Sequence, residues 1–156
     1  KADFEFESLL LEVLSDFQVS IPELGTIQAH SKPLVFLTSN DTRDLSDALK
    51  RRCLHLHIPF PSVKLEARIV ASRVPDLAQS MTDQLVHFVH AIRSLDLKKA
   101  PAISETVDWA KSLVLLHAKD LDGSLVQDTL NVLLKYEEDI QIAEGQLPKL
   151  MAAAAG

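Results

Sequence analysis

A chain of 156 residues is long enough for one domain or two small ones, and it needs no disulfides or metals to fold. Hydrophobic residues make up 47% of it and charged residues 24%, which excludes a disordered tail, a collagen-like repeat and a disulfide scaffold. The net charge is −6, which argues against nucleic-acid binding, but residues 32–73 hold eight cations and four anions. This middle segment is therefore a candidate anion-facing region.

Glycine is scarce, with four residues in the whole chain. They are Gly25, Gly123, Gly145 and Gly156. A GxxxxGK[ST] phosphate loop needs two glycines five positions apart, so this chain contains no such loop. No apolar run approaches the roughly 20 residues of a membrane helix, and the single cysteine, Cys53, suits a reducing compartment. We therefore expect a soluble, cytoplasmic protein.

Helix and strand patterns alternate along the chain as far as Pro61. Residues 34–38 form an apolar run of strand length, typical of a strand covered on both faces in an α/β sheet. The predicted elements are, in order, a helix over 4–16, a β-hairpin over 17–29, a strand over 34–38, a short helix over 44–50 and a strand over 54–58.

Only helical periodicity follows Pro61. Ser104 is the predicted N-cap of the third helix, Trp109 is predicted to lie in the core, and the final alanine run is predicted to be a loose end. The predicted helices cover 62–74, 82–95, 104–117, 125–135 and 137–144, with Gly145 as the last C-cap. The pattern thus predicts an α/β domain over 1–61, followed by an all-α bundle over 62–156. Two strands and a hairpin resemble half of an α/β sheet rather than a whole one.

Two groups of polar residues could carry chemistry in the first domain. Thr38 and Asn40 lie at the carboxyl end of the buried strand, and ligands of open α/β sheets bind beyond the carboxyl ends of strands. The simpler interpretation is that they end the strand and begin a turn. Arg51 and Arg52 suit bidentate phosphate recognition, but cations are also favoured at the end of a helix by its dipole.

Other candidates are weaker. His55 and His57 share one face of a strand, but the third and fourth ligands of a zinc site are missing. Cys53 lacks an evident base, so it is interpreted as a core or edge cysteine and not as a nucleophile. Lys98 and Lys99 precede a helix N-terminus and could hold an anion, although a solvated linker is the simpler interpretation.

The order of these features resembles the MoxR-like AAA+ ATPases, from just after the Walker B strand to the C-terminus. The features are a helix, a hairpin, a strand ending Thr38-Ser39-Asn40, the run from Asp44 to Cys53, a second strand and a bundle containing Ile103-Ser-Glu-Thr-Val-Asp-Trp-Ala110. The resemblance covers nearly the whole chain. It implies a partial P-loop AAA+ core, consisting of half the sheet plus the hairpin, followed by a helical lid.

The resemblance also implies roles. Asn40 would be sensor 1, which orients the attacking water. Arg52, or alternatively Arg51, would be the arginine finger that reaches the nucleotide of the adjacent subunit. Thr38 would lie beside the nucleotide. The complete protein would bind ATP and Mg²⁺ and form a homo-oligomeric ring, usually a hexamer. It would act on a von Willebrand A-domain protein or another client.

The resemblance further implies that the Walker A and Walker B segments lie upstream of Lys1, so the chain alone should be inactive. Many relatives carry a sensor-2 arginine at the start of a lid helix, but residues 102–105 here contain none. Lys98, Lys99 or Arg93 could substitute, or the sensor-2 function could be absent. One rival interpretation is a non-catalytic α-helical protein-interaction domain. Another is a DNA-remodelling relative, which the absence of lysine and arginine from the hairpin argues against.

Overall fold

The computed structural model of the chain describes residues 4–39 and 46–155. The chain divides into two compact units, Lys1–Ile58 and Pro59–Gly156. The described part contains eight helices and one two-stranded antiparallel sheet. The predicted combination of a small β-containing region and a helical bundle is confirmed at this level. In the described residues no helix is both long and apolar enough to cross a membrane.

The first unit is built around helix α1 (Phe4–Asp16) and a β-hairpin. Strand β1 (Gln18–Ile21) pairs with β2 (Gly25–Gln28), which confirms the predicted hairpin. The amide of Leu24 donates to the carbonyl of Ile21 at 3.1 Å, and Gly25 follows with a φ of +79°. Proline at the second turn position and glycine in the left-handed region together fit a three-residue hairpin loop.

A single carboxylate joins α1 to the hairpin. Glu12 accepts hydrogen bonds from the Ser20 hydroxyl at 2.6 Å, from the Ser20 amide at 3.2 Å and from the Gln18 side chain at 3.1 Å. These hydrogen bonds from Ser20 and Gln18 favour the ionised form and lower the pKa of Glu12. The short helix α2 (Asp47–Lys50) ends the regular structure of this unit, and the Ser46 side chain accepts from the Leu49 amide at its start.

The two sheet strands predicted over 34–38 and 54–58 are not formed. Both segments lack regular structure, and the described part of the chain contains no sheet other than the hairpin. Their apolar side chains are exposed to solvent, as shown by Leu34 (83%), Phe36 (82%) and Leu54 (103%). A strand needs a neighbour to pair its backbone groups, and the described residues supply none here.

The second unit is entirely helical within the described residues. Its helices are α3 (Val63–Arg73), α4 (Gln79–Arg93), α5 (Ile103–Leu115), α6 (Gly123–Leu133), α7 (Glu137–Gly145) and α8 (Leu147–Ala154). Its core centres on two fully buried aromatic side chains, Phe88 and Trp109, whose ring centroids lie 5.4 Å apart. The Trp109 indole donates to the Thr129 hydroxyl at 2.8 Å, so its polar atom is satisfied. The predicted core position of Trp109 is confirmed.

Several helix ends differ from the sequence predictions. The predicted cap Ser104 lies inside α5 and donates to Glu105, while the residue at the N-cap position is Ala102. At the start of the next helix, α6, the Asp122 side chain is the cap and accepts from the Leu125 amide at 2.9 Å. The final alanine run is helical up to Ala154, which is buried, because α8 packs onto the core. The prediction of a loose end was therefore wrong.

Candidate functional site

The two arginines predicted as finger candidates lie at the end of α2. Arg51 is the C-cap residue, and Arg52 follows it; both are exposed. The Nε atom of Arg52 donates to the Ser15 hydroxyl at 2.6 Å, and its Nη1 atom donates to the Ala48 carbonyl at 3.1 Å. Both acceptors are neutral. Within residues 4–39 and 46–155, Arg52 forms no ion pair, so its charge is not compensated there.

The other candidates of this unit are only partly described. Asn40, the predicted sensor 1 residue, lies outside the described residues. Thr38 lies in the irregular segment and is exposed. His55 and His57 are also exposed, and Cys53 is half-buried and free. Across the described ranges, no three His, Cys, Asp or Glu side chains are grouped as metal ligands.

The Lys98–Lys99 segment is already occupied by an internal carboxylate. Asp139, which is 1% exposed, accepts from the Lys98 amide at 2.8 Å and from the Lys99 amide at 3.2 Å. An external anion would have to displace this carboxylate to use the same backbone donors. The segment is therefore a structural connection between the start of α5 and α7, closer to the linker interpretation than to an anion cradle.

The two lysine side chains also face acidic neighbours. The Lys98 ammonium lies 3.6 Å from Glu138 and 4.5 Å from the centre of the Tyr136 ring, and the Lys99 ammonium lies 3.9 Å from Glu105. Burial disfavours ionisation of Glu105, but the Ser104 hydrogen bond and the charge of Lys99 outweigh it and lower the pKa of Glu105. Neither lysine is thus free of local acidic partners.

Arg93, the third possible substitute for sensor 2, is committed to a buried carboxylate. Its Nη1 and Nη2 atoms donate to the two oxygens of Glu66 at 2.6 and 2.8 Å. Its Nε atom donates to the Pro101 carbonyl at 2.8 Å. The Arg93 side chain is 7% exposed and that of Glu66 is 0% exposed. Four of its five N–H groups have acceptors in the bundle, counting the Thr106 hydroxyl at 3.2 Å, and the side chain is buried, so Arg93 is poorly placed to bind a nucleotide phosphate.

Glu66 is the centre of a polar cluster that sequence reasoning missed. Besides Arg93, it accepts from the Thr106 hydroxyl at 2.8 Å, and it lies 2.9 Å from Nε2 of His90. Burial raises the pKa of Glu66, but hydrogen bonds from Arg93 and Thr106 and the positive charge of Arg93 lower it more, so the net pKa lies below its ordinary value. The carboxylate is therefore kept ionised inside the bundle.

One signal in the sequence could have indicated this cluster. Glu66 is the only acidic residue between Asp47 and Asp76, and it lies four positions before Val70 on α3. By hydrophobicity Leu65 would be expected on the buried face of this helix, but it is 45% exposed, whereas Glu66 and Val70 are buried. Hydrophobicity alone thus predicts the burial of Val70 but not that of Glu66.

Two open grooves flank α3 in the helical unit, with volumes of about 450 and 430 Å³. The first runs between α3 and α4 over Val63, Ala67 and Ala71. The second runs between α3 and α5 over Ile69 and Val107. None of the candidate residues named from the sequence lines either groove. Comparison of the chain with protein-family models, curated proteins and solved structures found no match.

Proposed function

We propose that this chain is the C-terminal part of a MoxR-like AAA+ ATPase. The parent protein would couple ATP hydrolysis to chaperone-like remodelling or maturation of a partner protein, such as one with a von Willebrand A domain, in the cytoplasm. The proposal starts from the order of features along the sequence. The observation that carries it further is the environment of Arg52, an exposed guanidinium just after α2 whose acceptors among the described residues are both neutral.

An arginine finger must meet two physical requirements. Its guanidinium must be accessible to a neighbouring subunit, and its charge must not be spent on a carboxylate of its own subunit. Arg52 meets both within the described residues. The Ser15 and Ala48 bonds hold the side chain in one orientation, which reduces the entropy lost when it engages a phosphate. Arg51, exposed at the C-cap of α2, is the alternative finger.

The exposed apolar segments support the half-sheet in this proposal. Residues 34–37 and 54–58 have strand length and strand composition, yet side chains such as Phe36, Leu56 and Ile58 are 80% exposed or more. Strands from the rest of the parent would pair their backbones and bury these side chains. ATP and Mg²⁺ would be held mainly by that part of the parent, with Asn40 as sensor 1.

The carboxylate partners of Arg93, Lys98 and Lys99 bear on the sensor-2 role. Each of these cations already has an internal carboxylate partner. The proposal therefore assigns no sensor-2 residue in the described lid. Hydrolysis would rely on sensor 1 and on the finger supplied by the adjacent subunit. Because the chain has no phosphate loop, it should not hydrolyse ATP alone.

Mixed rings of the complete protein test the finger assignment. A subunit with Arg52→Ala keeps its own nucleotide site but supplies no finger, so its ring should bind ATP normally and lose about 10³-fold or more in turnover. A second subunit type has the lysine of its phosphate loop replaced, so it binds no nucleotide but keeps Arg52. Mixing the two inactive subunits should restore part of the activity, because the finger acts in trans.

Two control variants sharpen this test. Arg51→Ala decides between the neighbouring arginines, and Arg68→Ala removes an exposed cation of α3 outside the proposed site. Normal turnover of the Arg52→Ala ring, or no recovery on mixing, would make the finger assignment wrong. Loss of turnover in Arg51→Ala alone would move the role to Arg51.

A non-catalytic interaction domain is the alternative. The observation in its favour is the adjacent pair Leu115 and Leu116 at the end of α5, which are 79% and 56% exposed. Exposed apolar pairs of this kind are candidate partner contacts. The coding sequence upstream of Lys1 discriminates between the two: a GxxxxGK[ST] loop and an apolar strand ending Asp-Glu support the ATPase, and their absence supports the interaction domain.

A further inference from the structure

The helical unit begins with the segment Pro59-Phe60-Pro61, which precedes α3. The Phe60 ring lies against the guanidinium of Arg93, with 4.4 Å between the Arg93 Cζ atom and the ring centre. Phe60 is 52% exposed, so about half of its surface is covered. This contact is of the cation–π type, which is strongest when the cation is shielded from water, as Arg93 is.

The Arg93 guanidinium that contacts this ring is held in place by hydrogen bonds. Glu66 holds its two terminal nitrogens, the Pro101 carbonyl accepts from Nε at 2.8 Å, and the Thr106 hydroxyl lies 3.2 Å from Nη2. These partners come from α3, from α5 and from the residues just before α5, while Arg93 itself ends α4. The plane of the guanidinium is thus fixed by three parts of the bundle at once.

The backbone of the segment has few other means of attachment. Proline has no amide hydrogen, so Pro59 and Pro61 donate no backbone hydrogen bond. Only Ser62, the N-cap of α3, begins the regular hydrogen-bonded structure, by accepting from the Leu65 amide. Side-chain contacts must therefore tie this segment to the bundle, and the contact of Phe60 with Arg93 is one of them.

We propose that Phe60 and Arg93 form a latch that makes residues 59–61 a rigid part of the helical unit. Through this latch, residues 59–61 would move together with α3, α4 and α5 and would not behave as a loose linker. The charge pair of Glu66 and Arg93 then has a mechanical role in addition to its role in the core. This inference does not depend on the ATPase assignment, because it concerns only contacts inside one unit.

Nitrogen-15 relaxation on the full 156-residue chain tests the latch. Phe60 carries the only backbone amide between Pro59 and Pro61, so its order parameter reports on the segment alone. We expect a value near about 0.85, as in α4, for the unmodified chain. In Phe60→Leu, which removes the aromatic face but leaves Glu66 and Arg93 in place, the value at residue 60 should fall below about 0.6.

Tyr136→Leu is the matched control, because Tyr136 makes a similar contact with Lys98 at 4.5 Å elsewhere in the same unit. It should leave the order parameter of Phe60 unchanged. Arg93→Lys keeps the charge but loses the planar fork, and it should loosen residue 60 as Phe60→Leu does; if it unfolds the unit, Phe60→Leu decides alone. A mobile Phe60 amide in the unmodified chain, or an unchanged amide in Phe60→Leu, overturns the proposal.

Discussion

Replacing Glu66 by leucine should remove more stability than any other single change of a charged residue in the described chain. Glu66 is completely buried, accepts two hydrogen bonds from Arg93 and one from Thr106, and is also hydrogen-bonded to Nε2 of His90 at 2.9 Å. Leucine would leave the guanidinium of Arg93 buried without its carboxylate. Removing one partner of a buried ion pair typically costs about 3–5 kcal/mol, a large part of the roughly 5–15 kcal/mol that stabilises a domain.

Urea denaturation monitored by the fluorescence of Trp109 measures this loss. Trp109 is the only tryptophan, is completely buried in the same helical unit, and becomes exposed on unfolding. With a urea m-value near about 2 kcal/mol/M, a loss of 3–5 kcal/mol lowers the midpoint by about 1.5–2.5 M. Lys111→Ala is the control, because Lys111 pairs with Asp108 on the surface and should shift the free energy of unfolding by less than about 1 kcal/mol.

The double variant Glu66→Leu/Arg93→Met distinguishes two causes of the destabilisation. One is the loss of the attraction between Glu66 and Arg93, and the other is the burial of an unpaired guanidinium. If the stranded guanidinium causes the loss, removing it as well should recover much of the stability, because apolar replacement of a buried pair is often nearly neutral. A Glu66→Leu cost below about 1 kcal/mol would refute the reasoning. A double variant as unstable as the sum of its two single variants would also refute it.

Three further outcomes follow from the same structure. Asp139→Ala should cost about 1–3 kcal/mol in urea denaturation, because it leaves the amides of Lys98 and Lys99 without their buried acceptor; an unchanged midpoint would contradict this. The folded-state pKa of Glu66 lies below its unfolded value of about 4.3. Ionised Glu66 should therefore add its full share to the free energy of unfolding above about pH 4.3, and this share should be lost as the pH falls through the folded-state pKa. In Glu66→Gln the urea midpoint should fall less between pH 7 and 3 than in the unmodified chain. Gly25→Ala should destabilise the hairpin by about 1–2 kcal/mol, because alanine is strained at a φ of +79°. A Cβ at this position meets no atom within 4 Å, so steric clash should add nothing to this cost. Cross-strand nuclear Overhauser effects between β1 and β2 that persist over a thermal scan as in the unmodified chain would argue against it.

The features that sequence predicted correctly depend on neighbouring residues. The hairpin follows from Pro22 and Gly25, whose backbone preferences fit the loop wherever the rest of the chain lies. The helical character of the second unit follows from a 3.6-residue period that needs no knowledge of the partner helix. Trp109 is buried because its large apolar surface gains most from leaving water.

The strands predicted over 34–38 and 54–58 mark the limit of that reasoning. Composition and alternation indicate only that these residues can form a strand. A strand is stable only when a second strand lies about 4.8 Å away and pairs with its backbone. The described residues supply no such strand, so side chains such as Leu34 and Leu54 remain in solvent. The predicted cap of α5 is a second case, because the helix begins after Ala102 and the Ser104 hydroxyl donates to Glu105 and caps no amide.

The sequence by itself determined the local elements of this protein: the turn, the helical periods, the acidic ends around a basic middle and the absence of a phosphate loop. Only the tertiary structure decided which charged side chains have partners of opposite charge and which are exposed without one in the described residues. Arg93 meets Glu66 across 27 positions, and Asp139 meets the Lys98 amide across 41. Such contacts depend on how helices pack, and a charge on a helix has the same local pattern whether it is buried or solvated. That is why the structure distinguishes the exposed Arg52 from Arg93, which is buried against a carboxylate.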